Sequence, residues 1–306
     1  MHEHIAHAVY YLGVHLLYAS MVWLAALALT SAVRSSATVK YWIWVMTSLN
    51  FLLPVGAVLD QSFGRYLSWA APLRVIGPLG IAAADHSMLI GALWLLGATL
   101  MVARLALRLR SERVLPTRGT QRAGESATAM RLRGIPVRFT ADGQGPAVKG
   151  VLSPYIALPL GIEAALSGPE LNAVLLHELT HARRRDNLIR LVHELGQCAL
   201  WFHPLLWLAG SRLALYRELS CDETVIQRDQ GKDLVAALAK LANPESALVL
   251  QAAAASHMSR RVARLIAAGP RSCFAVNTLL LAVFAAVLFL GVFETVAHTA
   301  CCFVGR

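Results

Sequence analysis

Apolar residues run in long stretches at four places along the chain: roughly Ala8–Val33, Tyr41–Leu59, Ser87–Leu107 and Phe274–Phe293. At about 1.5 Å per helical residue, each covers about 30 Å, the hydrocarbon thickness of a bilayer. Any one of them fits a buried core helix; the four together predict four transmembrane helices. Between the third and the fourth the pattern shortens. Pro116 to about Ala129 is polar and reads as a flexible linker. Pro136–Thr140 and Tyr155–Pro159 read as short strands, with a turn at Asp142-Gly143. The second strand is either an edge that can receive an extended peptide or half of an ordinary hairpin. Ser167-Gly168-Pro169-Glu170 has capping-box spacing with proline in the first turn, so a helix starts there. Leu171, Val174, Leu175 and Leu179 follow at helical spacing. Asn187–Ala199 is helical in pattern and breaks at His203-Pro204, and Pro204 opens a further helix to about Gln227. The break itself is very apolar, with Trp201, Phe202, Leu205, Leu206, Trp207 and Leu208.

Composition supports the membrane reading. Hydrophobic residues are 57% of the chain and charged residues 15%, and mean hydropathy is +0.54; soluble domains are far more charged. The first span has no Lys or Arg before it, so it reads as retained rather than as a cleaved signal peptide. The net charge of +10 is unevenly placed. With the N-terminus outside, Arg34, Lys40 and every Lys and Arg from Arg104 to Arg271 lie inside, and Arg65, Arg74 and Arg306 outside. This positive-inside bias predicts a cytoplasmic central domain and extracytoplasmic termini. The arginines flanking the third and fourth spans suit anionic lipid; no nucleic-acid module is visible, and no direct nucleic-acid binding is expected. The five cysteines lack paired metal spacing. Cys198, Cys221 and Cys273 would stay reduced, and Cys301 and Cys302 fall in the outer tail. The domains read as 1–108, three membrane helices; 109–273, a cytoplasmic domain; and 274–306, a fourth helix with a short tail.

The chemistry concentrates in His177-Glu178-Leu179-Thr180-His181. With 11 His and 11 Glu in the chain, such a motif arises by chance about 0.01 times. On a helix, positions i and i+4 are neighbours, so both imidazoles reach one zinc ion. Glu178 is placed to act on water, whose pKa falls to about 7 on such an ion. A hydrolytic zinc site needs one further protein ligand. Glu218 is the leading candidate, with Glu194 and Glu223 as alternatives. Asp222, one turn beyond Glu218, is placed to accept the second N–H of a ligating histidine. Cys221 reads as a small buried thiol. His193 and His203 are candidates for stabilising a transition-state oxyanion, and Asp186 for capping the next helix.

These segments resemble the BlaR/MecR family of membrane zinc metallopeptidases. The resemblance rests on Pro146–Gly150, Ile156-Ala157-Leu158-Pro159, the His-Glu-x-x-His with Arg184 and Asp186, Trp201–Trp207, and Glu218-Leu219-Ser220-Cys221-Asp222. It implies a mainly α membrane protein with an α+β zincin-type, gluzincin-like domain between helices three and four. It also implies zinc on His177, His181 and Glu218, and Glu178 as general base. The implied substrate is a cytoplasmic repressor of the BlaI/MecI kind, or the chain itself. Family sensors carry a penicillin-binding-type domain after the fourth span, whereas this sequence ends 13 residues beyond it, so a separate sensor protein is the expected partner. His203 stands where the family usually has Asn. Ser259-Arg260-Arg261 lies in the region where family receptors cut themselves, and basic membrane anchoring explains it equally well. The other readings are a non-catalytic transducer braced by zinc and a quality-control membrane protease of the HtpX type.

Overall fold

The computed structural model describes residues 2–33, 35–52, 87–112, 131–132, 134–140, 145–241, 251–266, 279–282 and 284. In chain order these form α1 (His2–Ala32), α2 (Ala37–Asn50), α3 (Ser87–Glu112), β1 (Arg131–Leu132), β2 (Ile135–Thr140), β3 (Ala147–Lys149), β4 (Tyr155–Pro159), α4 (Ile162–Ala165), α5 (Gly168–Arg184), α6 (Asp186–Ala199), α7 (Pro204–Ile226), α8 (Gly231–Leu241) and α9 (Gln251–Ile266).

His15–Ala32 of α1 and Met88–Ser111 of α3 are long and apolar enough to cross a bilayer, and only 6% of the α3 stretch is buried. A helix that turns apolar side chains outward over its whole length suits lipid, not water. Of the second predicted span, α2 is described and 53–59 is not; of the fourth, only 279–282 and 284 are described. The predicted linker, the Asp142-Gly143 turn, Cys273, Cys301 and Cys302 also lie outside the described residues.

Three apolar clusters of the described residues meet on α7, the smallest being Leu215 and Leu219 against Ala37 of α2. The first gathers Trp23 of α1, Tyr41, Ile43 and Trp44 of α2, and Leu206, Ala209 and Leu213 of α7. Trp23 and Trp44 meet edge to face at 5.8 Å. The second gathers Val137, Ile156 and Leu158 of the sheet, Val174, Leu175 and Leu179 of α5, Val225 of α7, Leu234 of α8 and Leu265 of α9. Each such aliphatic side chain contributes about 1.5–3 kcal/mol by leaving water. The 23-residue α7 is about 35 Å long. It packs its first half into the helical core and delivers its second half to the sheet-and-helix core. The apolar break before it is a docking surface. Trp94 Nε1 of α3 donates to the Ala199 carbonyl at 2.9 Å, and a Cβ on Gly97 would lie 2.3 Å from the Trp201 ring.

The sheet corrects the strand expectation. Its order is β1-β2-β4-β3; β2 runs parallel to β4, and β3 pairs antiparallel on β4's other side. Tyr155–Pro159 is therefore no edge; it is half of a hairpin, but with Ala147–Lys149 and not with Ile135–Thr140. Its fully apolar Ile156-Ala157-Leu158 is buried, as an interior strand requires. The edges are β1 and β3, and β3 lies against α5. Its Val148 carbonyl and that of Gly150 accept from the Asn187 amide, each at 3.0 Å.

Candidate metal centre

Helix α5 starts where the sequence predicts. The Glu170 carboxylate accepts from the Ser167 backbone N–H at 2.7 Å, and proline sits in the first turn. Leu175 and Leu179 bury one face and leave His177, Glu178 and His181 on the side facing α7. The helix ends abruptly at Arg185, whose φ of 56° and ψ of 44° place it in the left-handed region, uncommon for a non-glycine residue and typical of functional sites. That corner turns the chain back, so Asp186, first residue of α6, returns to its own predecessor helix.

The centre assembles from α5 and α7. His177 Nε2 lies 3.1 Å from His181 Nε2. Glu218 Oε2 lies 3.6 Å from the first and 3.7 Å from the second. Tetrahedral ligands of zinc at about 2.0–2.1 Å sit about 3.4 Å apart, so the three atoms are spaced to surround one ion. The other ring nitrogens face carboxylates. His181 Nδ1 donates to Asp186 Oδ2 at 2.7 Å. His177 Nδ1 stands 3.1 Å from Asp222 Oδ1, an ion-pair distance without the alignment of a formed hydrogen bond. Carboxylates at both Nδ1 atoms place the protons there and leave both Nε2 lone pairs pointing at one spot. Glu218 Oε1 is held by Arg217 Nε and Nη2 at 3.1 and 3.0 Å, which aims Oε2 inward. Three acceptors converging on one point repel one another unless a cation sits between them, and the nitrogen and oxygen donors suit zinc. A second cluster, His181 Nδ1, Asp186 and Cys221, already has a cation: Arg184 Nη2 contacts Asp186 at 2.6 Å and Cys221 at 3.3 Å.

Without a cation the same carboxylates favour a second proton on each imidazole, which a metal ion at the two Nε2 atoms would displace. Burial opposes a charge on His177, yet the Asp222 and Glu218 carboxylates override it and raise its pKa to about 9. Burial would push Glu218 up, but the two imidazoles and Arg217 hold it well below the usual carboxylate range. Burial likewise opposes ionisation of Asp186, and His181 and Arg184 bring it down to about 2. Glu178, next to His177, is buried. Its charge, with those of Asp222 and Glu218, helps to hold the proton on Arg261 against burial.

Several sequence expectations change. Asp186 does not cap α6; it backs His181, and also accepts from Arg184 Nε and Nη2 and from Tyr41 of α2. Arg261 is not a lipid anchor. It points inward from α9, donating to both Asp222 oxygens at 2.9 Å, with Nη1 and Nη2 each 3.5 Å from Glu218 Oε2 and His177 Nε2 respectively. His203 and His193 leave the site. His203 is the N-cap of α7, 15 residues before Glu218 and so about 22 Å away along the helix axis; it stacks on Phe51. His193 packs on Gly210, where a Cβ would lie 2.5 Å from its Nε2, about 12 Å before Glu218. The alternative third ligands are engaged elsewhere: Glu194 with Arg108 and Arg190, Glu223 with the start of α2. The sequence signal for Asp186 was its place five residues past His181; for Arg261 and Tyr41 there was none.

A two-histidine, one-carboxylate centre carried by a membrane-embedded helical scaffold defines the class. A family model described as BlaR1 peptidase M56 matches residues 10–265, and the chain belongs to that family. It is similar to the regulatory protein BlaR1 of Bacillus licheniformis, 28% identical over 179 residues, which is 55% of this chain and 29% of that protein. It is also similar to the methicillin resistance mecR1 proteins of Staphylococcus aureus and Staphylococcus epidermidis, 24% identical over 93 residues, 30% of this chain and 16% of theirs. The chain thus spans less than a third of the length of these relatives.

Proposed function

We propose that the chain is a zinc endopeptidase of the inner membrane that acts in signalling, with its catalytic domain in the cytoplasm. The observation that carries this is the convergence of His177 Nε2, His181 Nε2 and Glu218 Oε2 with both Nδ1 atoms backed by carboxylates. His177, His181 and Glu218 would hold zinc, which when bound would supply Lewis acidity toward the scissile carbonyl and lower the pKa of water. Glu178 takes the water's proton and returns it to the leaving amine nitrogen. Arg261 puts a fixed positive charge beside His177 and Glu218, in reach of negative charge developing on the carbonyl oxygen. Asp222 and Asp186 fix the tautomers of the two histidines. Glu218 keeps 24% of its side chain exposed, which leaves that side open to substrate. The regulatory and resistance names of the relatives favour a cytoplasmic repressor-like protein, or the chain itself, as substrate. The unequal placement of Lys and Arg supports the orientation.

The test is metal content and fragmentation of the detergent-solubilised wild type beside Glu178→Gln and Glu218→Ala. One zinc per chain in wild type and Glu178→Gln, much less in Glu218→Ala, and fragments from wild type alone are expected. Undiminished cleavage by Glu178→Gln would overturn the assignment, and zinc held by four protein groups would favour a braced transducer.

A further inference from the structure

Helix α2 reaches the metal centre through one hydroxyl. Tyr41 is fully buried, and its OH donates to Asp186 Oδ1 at 2.8 Å. The opposite oxygen of the same carboxylate accepts from His181 Nδ1 at 2.7 Å. The Tyr41 ring also supports Arg184, whose guanidinium carbon lies 4.0 Å from the ring centroid and whose Nε and Nη2 hold Asp186 at 2.7 and 2.6 Å. Arg184 and Asp186 flank the left-handed Arg185 corner and hold each other, and Arg184 is tied to α7 through Ser220 Oγ at 2.6 Å and the Arg217 carbonyl at 3.2 Å. Among the described residues, Tyr41 is the partner that reaches the Asp186 carboxylate itself from outside the α5–α6 corner, 145 residues away in sequence. It is firmly placed: the first turn of α2 is clamped to α7, where Glu223 accepts from Thr38 N at 3.0 Å and Thr38 Oγ1 at 2.9 Å, and Thr38 Oγ1 lies 3.1 Å from Ser220 Oγ.

We propose that Tyr41 is a positioning residue of the metal centre: it acts on His181 through Asp186, so that metal affinity depends on where α2 lies against the α5–α6 corner. The inference rests on the reading of His177, His181 and Glu218 as zinc ligands. Without the hydroxyl, Asp186 keeps Arg184 but loses the bond that fixes its second oxygen from outside the corner. The carboxylate can then tilt about its bonds to Arg184, and the His181 ring tilts with it. Such outer partners typically change metal affinity by about 10–100-fold. As a helix of the first, membrane-side core, α2 would pass its own displacement to the centre by this route.

The experiment uses the full chain in detergent. Zinc affinity is measured by competition with a chromophoric chelator, and the cobalt-substituted protein gives a d–d absorption band that reads ligand geometry. Tyr41→Phe removes the hydroxyl and keeps the ring under Arg184. The expected result is about tenfold weaker zinc binding and an altered cobalt band. Trp44→Leu, on the same helix in the same core with no bond to Asp186, is expected to lower the unfolding midpoint and leave zinc affinity unchanged. Zinc binding by Tyr41→Phe within twofold of wild type overturns the proposal and leaves the metal centre standing. Equal weakening by Trp44→Leu overturns it too, since α2 would then act only as support. Absence of zinc from folded wild type would remove the metal centre itself.

Discussion

The pair Asp222–Arg261 offers a quantitative test of how the centre is held. Asp222 is fully buried and the Arg261 side chain is 11% exposed, with two bonds of 2.9 Å between them. Breaking a buried pair from one side costs about 3–5 kcal/mol, because a charge is left without its partner, whereas replacing both by apolar groups is often close to neutral. In Asp222→Leu the stranded guanidinium keeps Glu218 Oε2 at 3.5 Å, which points to the lower end, about 3 kcal/mol. Against the roughly 5–15 kcal/mol of an ordinary fold that is a large loss. The double variant Asp222→Leu/Arg261→Met should recover at least half of it. The assay is urea unfolding of the metal-free protein in micelles for wild type, both single variants and the double, read as a double-mutant cycle. An Asp222→Leu protein within about 1 kcal/mol of wild type, or a double variant no more stable than Asp222→Leu, would refute the reasoning.

Two further outcomes follow from contacts remote from the centre. His193 has no hydrogen-bond partner at either ring nitrogen among the described residues, and burial pulls its pKa from 6.5 to about 4. The unfolded chain binds this proton below about 6.5 and the folded chain not until about 4, so stability is full above 6.5 and falls as pH drops through that window, by roughly 3 kcal/mol in all. His193→Leu should flatten this slope in unfolding midpoints taken between pH 7 and 4.5; an unaltered slope would count against it. Glu223→Ala removes the carboxylate that accepts from Ala37 N, Thr38 N and Thr38 Oγ1 at the start of α2, at a cost of about 1–2 kcal/mol. Faster hydrogen exchange at the Ala37 and Thr38 amides checks it, and unchanged protection there would show that the clamp contributes nothing.

What could be read without coordinates was local. The α5 start, the pairing of His177 with His181 and the proline that opens α7 depend on residues within about one helical turn of each other, and helical periodicity exposes such relations directly. Apolar runs of about 20 residues likewise report a bilayer by length alone. The third acceptor was ambiguous, because Glu194, Glu218 and Glu223 all lie on helices and only the crossing of α5 with α7 brings one of them to 3.6 Å of His177. Asp186 is hard to place for the opposite reason: so near the motif, capping α6 accounts for it locally, and the left-handed turn at Arg185 that sends it back has no signature without a glycine.

Strand identity was legible and strand order was not. Tyr155–Pro159 is apolar enough to be a strand, but its interior place depends on β3, three residues long, crossing to its far side. His193 and His203 looked like chemistry because histidine is versatile; their place on α6 and α7 sets them about two and four turns from Glu218. Arg261 and Tyr41 approach the centre from sequence separations of 84 and 145 residues. The sequence by itself determined the motif, the helices that carry it and the membrane character, since each follows from periodicity and length. The tertiary structure alone decided which carboxylates, which arginine and which tyrosine surround the two imidazoles, because contacts across packed helices depend on crossing geometry that no local pattern encodes.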